Sequence, residues 1–169
     1  KDYNGGGARY NTTYIQGVGL GSITDILTSI RYNVYDRKNI TWDELLKAME
    51  ADFEGCDQLR YDLIYNTPKY GNDDDYADQQ AVTVFEVYYD AVNGRPCSRG
   101  GVHRINMLPT TSHVYFGSVT GATADGRKAF TPLSEGISPS QGVDSNGPTS
   151  VISSASKIDH LRTGGTLLN

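Results

Sequence analysis

Between Leu20 and Val92 the apolar residues recur at helical spacing. Ile23, Ile26, Leu27, Ile30 and Val34 fall at i, i+3, i+4, i+7 and i+11, one apolar face of a helix. Gly17-Val18-Gly19-Leu20-Gly21 stands in front of it as a tight turn. Thr41-Trp42-Asp43-Glu44 reads as a capping box, with Trp42, Leu45, Leu46, Met49 and Phe53 continuing a second helix face until Gly55. Leu59, Leu63 and Ile64 predict a third helix ending before Pro68. A fourth is expected from about Asp74 to Val92. It carries one stripe of Ala77, Ala81, Val84, Tyr88 and Ala91 and a second of Val82, Phe85 and Tyr89. Apolar on two sides, it is expected to be covered on both. Asp73, Asp74 and Asp75 suit its dipole at the start, and Gly94-Arg95-Pro96 ends it.

From Gly100 the helical period disappears. Ile105 to Phe116 is β-prone with a proline at 109, which predicts a strand with a bend or bulge. Gly117 to Pro148 then holds six glycines and three prolines in 32 residues. A long irregular stretch inside a compact protein is usually functional or disordered. Thr149–Ser156 and Thr163–Leu168 are short strand candidates around Ile158-Asp159-His160. No internal repeat is visible, and residues 1–169 read as one partial domain.

Composition narrows the function. The chain has 169 residues, 20 acidic against 15 basic side chains, and a net charge of −5. That balance argues against a nucleic-acid or anionic-membrane surface, and no apolar run approaches the ~18 residues of a membrane span. Two cysteines, Cys56 and Cys97, make no disulfide framework and point to a reducing, cytoplasmic compartment. Glycine, at 19 of 169, exceeds its usual share of ~7% without period. Lys1 is not an initiator methionine, and Thr166-Leu167-Leu168-Asn169 has the look of a strand cut mid-way, so a segment of a longer protein is expected.

Familiar chemical motifs are weak. The Gly17–Gly21 spacing is G-x-G-x-G rather than the dinucleotide fingerprint, and no P-loop string occurs. Asp73, Asp74, Asp75 and Asp78 lack the glycine and glutamate of a calcium loop and read as a cap and solvated face. His103, His113 and His160 have no zinc-type spacing with the cysteines, and no G-x-S-x-G elbow is present. Cys56 shares the register of Leu59 and Leu63, which suits a buried structural thiol. Cys97 lies in a turn flanked by Arg95 and Arg99.

Whole strings are more telling. Gly6-Gly7-Ala8-Arg9-Tyr10-Asn11, Pro68-Lys69-Tyr70-Gly71-Asn72-Asp73-Asp74 and Thr120-Gly121-Ala122-Thr123-Ala124-Asp125-Gly126-Arg127 come first. Pro132-Leu133-Ser134-Glu135-Gly136-Ile137-Ser138-Pro139, Asn146-Gly147-Pro148-Thr149, Lys157-Ile158-Asp159-His160 and Gly164-Gly165-Thr166-Leu167-Leu168-Asn169 follow. In this order they resemble the glycyl radical enzymes, the pyruvate formate-lyase-like family, over essentially the whole chain. The resemblance implies an α/β fold, part of a ten-stranded barrel wrapped in helices. It also implies a cysteine loop that forms a thiyl radical and a glycine that stores the radical in an Arg-Val-x-Gly-Tyr-like string. Neither loop is expected within residues 1–169. Gly55-Cys56 lacks the residues that follow the family's cysteine and lies on the wrong side of Pro68-Lys69-Tyr70-Gly71, so no catalytic residue is assigned.

The dehydratase branch is the better match. Leu108 to Phe116 is most similar to members that dehydrate 4-hydroxyproline, with the arylacetate decarboxylases next and glycerol or propanediol dehydratases as further alternatives. A non-catalytic scaffold remnant is the alternative from another class. The resemblance implies an anaerobic lyase with a small-molecule substrate. It further implies a glycyl radical as cofactor, an activating enzyme that uses S-adenosylmethionine and an iron–sulfur cluster, and a homodimer. No metal is expected in this chain. By resemblance, the 108–116 run would be a barrel strand meeting the substrate. Alternation puts 108, 110, 112 and 114 on one face and 109, 111, 113 and 115 on the other, and Pro109 leaves the inward face open. Thr110, Thr111 and Tyr115 are the candidate substrate contacts. The competing reading is that these hydroxyls satisfy barrel backbone or water.

Overall fold

The computed structural model describes residues 12–98 and 100–169. The Gly6–Asn11 string and the Arg99 neighbour of Cys97 lie outside them. Two strands, β1 (Thr12–Gln16) and β2 (Val102–Asn106), pair in parallel with Thr12 opposite Val102 and Gln16 opposite Asn106. Parallel neighbours need a long crossover. Here it is made by α1 (Leu20–Ser29), α2 (Trp42–Glu50), α3 (Asp57–Tyr65) and α4 (Asp75–Val92). α1 continues into a widened π-type stretch, Ile30–Asp36. The extended segment 163–168 runs beside β2 as a third member. Gly164 N–H donates to the Ile105 carbonyl (3.0 Å), Met107 N–H to Gly165 (2.9 Å) and Leu167 N–H to Met107 (3.1 Å). That strand candidate is therefore an extended segment bridged at Met107 and Thr166.

The capping box at Thr41 forms as the spacing predicts. Its hydroxyl accepts from Glu44 N–H, and the Glu44 carboxylate accepts from Thr41 N–H at 2.8 Å. Cys56 takes the N-cap position of α3, half-buried against the cluster of Ile40, Leu45, Ala48, Phe53, Leu63 and Ala124. The second apolar cluster joins Leu20, Phe85, Ile105, Met107, Ile137, Ala155 and Ile158. α4 buries Ala77, Asp78, Ala81 and Phe85, drawing on both expected stripes, while Val87 and Ala91 stay exposed. Within this chain the helix is thus covered on one side. Asp74 caps it by accepting from Tyr76 N–H (2.9 Å). Asp78 is not solvated as expected: it is buried and pairs with Lys157 Nζ at 2.7 Å, which also reaches Asp73 and Asp75.

Two further expectations are overturned, and a third in part. The β-prone run after Ile105 is a strand only to Asn106. Residues Ser112–Ser118 instead form a short helix, α5, with Thr111 as its N-cap. Pro109 cannot donate to a ladder, and α5 is held from outside, where Leu133 N–H donates to the His113 carbonyl (3.1 Å). Face alternation therefore does not extend to 112–116. Thr149–Ser156 lies in a helix, α6 (Pro148–Ser156), not a strand. Pro148 occupies its first turn behind Gly147, and Val151, Ser154 and Ala155 bury a face at i, i+3 and i+4, with buried Ile158 just past the helix end.

The third concerns only part of α1, since Leu20 is buried and Ile26, Ile30 and Val34 pack against the Leu45 cluster. Its apolar residues Ile23 and Leu27 are 38% and 36% exposed, while Gly21, Ser22, Thr24, Asp25, Thr28 and Ser29 are buried. The polar face is inside because the irregular 117–148 segment lies on it and hydrogen-bonds to it. Ser22 and Ser134 exchange amide-to-hydroxyl bonds at 2.9 and 2.8 Å, and Ser29 Oγ donates to the Ala124 carbonyl at 2.7 Å. A Cβ on Gly21 would stand 2.4 Å from the Ser138 carbonyl oxygen, so only glycine admits that approach. The long segment is ordered by the helix rather than by its own periodicity.

Candidate functional site

In sheets of parallel strands, ligands gather where the carboxyl ends emerge. Here those ends are Gly17, Leu108 and the residues after Leu167. Gln16 and Asn106, the last residues of β1 and β2, shape the edge. Leu108 N–H donates to Gln16 Oε1 (3.0 Å), Gly17 N–H to the Asn106 carbonyl (2.7 Å), and Met107 N–H to Asn106 Oδ1 (3.0 Å). These contacts fix the path of the chain as it leaves the sheet. Buried Pro109 then turns it toward α5.

Thr110 and Thr111 follow side by side in this turn, both exposed, and neither hydroxyl has a hydrogen-bond partner among the described residues. Tyr115 lies one turn into α5, four residues after Thr111, 67% exposed, with its ring 5.8 Å from that of Phe116. Leu108, Val114 and Phe116 are exposed beside them. The structure thus places Thr110 and Thr111 together at the strand end and sets Tyr115 on the following helix rather than on a shared strand.

Three hydroxyls framed by apolar side chains can orient a small polar molecule by donated and accepted hydrogen bonds. They cannot abstract a hydrogen atom. His113 lies in the same helix with a buried Nδ1 that has no hydrogen-bond partner. Gln16 and Asn106 escaped the sequence reading because no spacing marks a side chain that shapes a sheet edge, and His113 entered it only as a histidine without zinc spacing.

Neither cysteine stands at this edge. Cys56 packs in the α2–α3 cluster, and Cys97 precedes the amino end of β2, its N–H donating to the Gly101 carbonyl (3.0 Å). The residues present therefore do not fit a thiyl centre, and no Arg-Val-x-Gly-Tyr string occurs in the sequence to store a radical. Among the described residues no group of three or more His, Cys, Asp or Glu side chains is gathered to hold a metal ion. No helix among them is long and apolar enough to cross a membrane.

The largest perturbation of a carboxyl group lies elsewhere, at Asp25 on α1. Full burial pushes its pKa up to about 7, against the opposing pull of Lys69 and a hydrogen bond from Tyr70 N–H (2.9 Å). Its second oxygen has no hydrogen-bond partner. Tyr88, whose hydroxyl donates to the Ile15 carbonyl of β1 (2.7 Å), is raised to about 12 by burial.

Comparison with known proteins follows the same lines. A family profile described as pyruvate formate lyase-like matches residues 1–117, and one described as glycine radical matches residues 133–169. The chain is 58% identical, over its whole length, to trans-4-hydroxy-L-proline dehydratase of Clostridioides difficile, covering 21% of that protein. It is 38% identical to (2S)-3-sulfopropanediol dehydratase of Klebsiella oxytoca, again along all of the chain and 21% of the relative. The crystal structure of the Clostridioides difficile hydroxyproline dehydratase with its substrate bound superposes with a TM-score of 0.96 over 100% of this chain and 21% of that one. The glycerol-bound B12-independent glycerol dehydratase of Clostridium butyricum is 44% identical, with a TM-score of 0.91 over 97% of this chain and 21% of that one. The chain therefore spans about a fifth of the length of these relatives.

Proposed function

This chain belongs to the pyruvate formate lyase-like family, and from that premise we propose that it is a wall segment of a glycyl radical lyase that dehydrates trans-4-hydroxy-L-proline. The observation that carries the substrate is the 58% identity to the hydroxyproline dehydratase, against 38% for the sulfopropanediol enzyme over the same span. In this reading residues 1–169 are one part of a ten-stranded α/β barrel, to which β1, β2 and the 163–168 segment contribute. The thiyl cysteine and the radical glycine lie on other parts of the protein.

The glycyl radical supplies hydrogen-atom abstraction, and the work of this segment is to hold the substrate. Thr110 and Thr111 offer hydroxyls that can donate to a carboxylate or accept from a ring hydroxyl or amine. Tyr115 adds a phenol within one helical turn, and Leu108 and Phe116 keep water from the ring carbons. Dehydration removes a hydroxyl from one carbon and a hydrogen from its neighbour. Fixing the hydroxyl's direction therefore decides which neighbouring carbon gives up the hydrogen lost with it.

The activating partner in this reading is an S-adenosylmethionine-dependent iron–sulfur enzyme. The working form is a homodimer in an anaerobic cytoplasm, consistent with a cysteine usage that builds no disulfide framework. The test is incubation of the full-length activated enzyme with trans-4-hydroxy-L-proline, glycerol and propane-1,2-diol. A pyrroline carboxylate from the first, with no aldehyde from the others, is the expected result. Turnover of glycerol alone would assign the segment to the other branch.

A further inference from the structure

α5 begins at Thr111 and carries Tyr115, yet Val114, Tyr115 and Phe116 are all exposed, so this seven-residue helix has little core of its own. A helix this short does not hold its place by propensity. Its inner face is made by His113 and buried Gly117, four residues apart and therefore stacked along the helix. Both meet one stretch, residues 131–133. Leu133 N–H donates to the His113 carbonyl at 3.1 Å. A Cβ on Gly117 would stand 2.6 Å from Pro132 Cα and 2.9 Å from Leu133 N, with the Thr131 carbonyl oxygen closer still. All three are backbone atoms, which cannot swing aside as the tip of a side chain can. Gly117 is not among the glycines at positive φ, so closeness rather than backbone conformation demands it.

The other side of that stretch is fixed to the start of α1. The Leu133 side chain lies over Gly19, 3.4 Å from where a Cβ would stand, and Ser134 exchanges two hydrogen bonds with Ser22 in the first helical turn. The Gly17–Gly21 turn, for which no ligand chemistry was found, is thus the place where this contact is made. It follows directly on Gln16, whose Oε1 accepts from Leu108 N–H. The 108–118 run is therefore pinned to the end of β1 twice, at Leu108 through Gln16 and at α5 through residues 131–134. Thr110 and Thr111 lie between the two pins.

We propose that residues 131–134 are a spacer clamped between α1 and α5 that sets Thr111 and Tyr115 at the strand end, with Gly117 and Ser22 as positioning residues for substrate binding. The inference rests on the strand-end reading of Thr110, Thr111 and Tyr115. A methyl group added at residue 117 must part α5 from the spacer by about 1 Å, a displacement large enough in a substrate-holding group to cost up to a hundredfold. Loss of the Ser22 hydroxyl removes one of the two bonds that hold the spacer down and loosens it by less.

The test is steady-state kinetics of the activated full-length enzyme, with kcat referred to its glycyl radical content by electron paramagnetic resonance. The substrate is whichever of trans-4-hydroxy-L-proline, glycerol and propane-1,2-diol the parent turns over, so a wrong substrate and a wrong clamp are told apart. Gly117→Ala is expected to raise KM by about tenfold or more, with kcat changed less. At an ordinary helix position the same change stabilises, so a KM rise here marks displacement. Ser22→Ala, on α1 and bonded to Ser134 rather than to α5, should raise KM about threefold. Lys157→Met, which removes the ion pairs between α6 and the start of α4, should keep the parent KM, because lost stability by itself does not move it. Should Gly117→Ala fail to fold, Ser22→Ala decides alone. Parent-like KM in Gly117→Ala and Ser22→Ala overturns the proposal, as does an equal rise in Lys157→Met. A parent that turns over none of the three substrates overturns the strand-end reading and the clamp together.

Discussion

Ser22 and Ser134 hold each other by two buried hydrogen bonds, each amide donating to the other's hydroxyl across 112 residues of sequence. Both side chains are sealed from solvent. Removing either hydroxyl strands a buried amide, which costs about 1–3 kcal/mol. Ser22→Ala and Ser134→Ala should each lower the unfolding free energy of the full-length protein by that amount, read from denaturant melts. A double variant that costs no more than one single would show that the pair acts as a unit.

Substrate recognition should depend on the exposed hydroxyls at the strand end. Thr110→Val keeps shape and removes one hydrogen-bonding group, and Tyr115→Phe does the same on α5. Each is expected to raise KM for trans-4-hydroxy-L-proline up to about tenfold, with kcat changed less. Steady-state kinetics of the activated enzyme decide it, and parent-like values in both variants would remove these residues from the site.

Asp25 makes stability pH-dependent. Its folded pKa is raised to about 7 from an ordinary 3.8, so between those values the folded state holds a proton that the unfolded state has lost. Its contribution is therefore fully present below pH 4 and is lost as pH rises toward and through 7. Asp25→Asn keeps an acceptor for Tyr70 N–H and cannot ionise. Denaturant midpoints at pH 5 and pH 8 should fall less in this variant than in the parent. An equal fall in both would place the pH dependence elsewhere.

Lys157 ties α6 to the start of α4 by reaching Asp73, Asp75 and buried Asp78 at 2.7–2.9 Å. Lys157→Met leaves Asp78 without its cation, and the loss should exceed the ~1 kcal/mol of an exposed pair. The double variant Lys157→Met with Asp78→Asn should recover part of it in a melting experiment.

What the sequence made legible was what local chemistry decides. The Thr41 box, the break before Pro68 and the acidic start of α4 each act within a turn or two and stand where expected, whereas α2 ends at Glu50, short of Gly55, with Phe53 at positive φ. β1 escaped because it is exposed on both faces and alternates nothing. α6 escaped because serine and alanine carry its buried face, leaving only Val151, and Ile158 just past its end, to mark a period. α1 was found with part of its buried surface, since Ile26, Ile30 and Val34 pack on the Leu45 cluster while Ile23 and Leu27 stay exposed; a segment about a hundred residues away buries its polar side. The same distance hid the site. Thr110 and Thr111 were singled out by resemblance alone, and Gln16 became visible only when β1 lay against β2.

The buried polar side of α1 also bears on how the chain reaches its shape. The helix is complete once residue 29 has been made, but the serine that closes on Ser22 follows 105 residues after that. At ~5–20 residues per second of synthesis, that is a wait of roughly 5–21 s with the polar face unmatched. For that interval Ile23, Leu27 and their neighbours are the more adhesive side. Ile26, Ile30 and Val34 can meet the Leu45 cluster early, whereas the polar side has no partner until residues 117–148 are made.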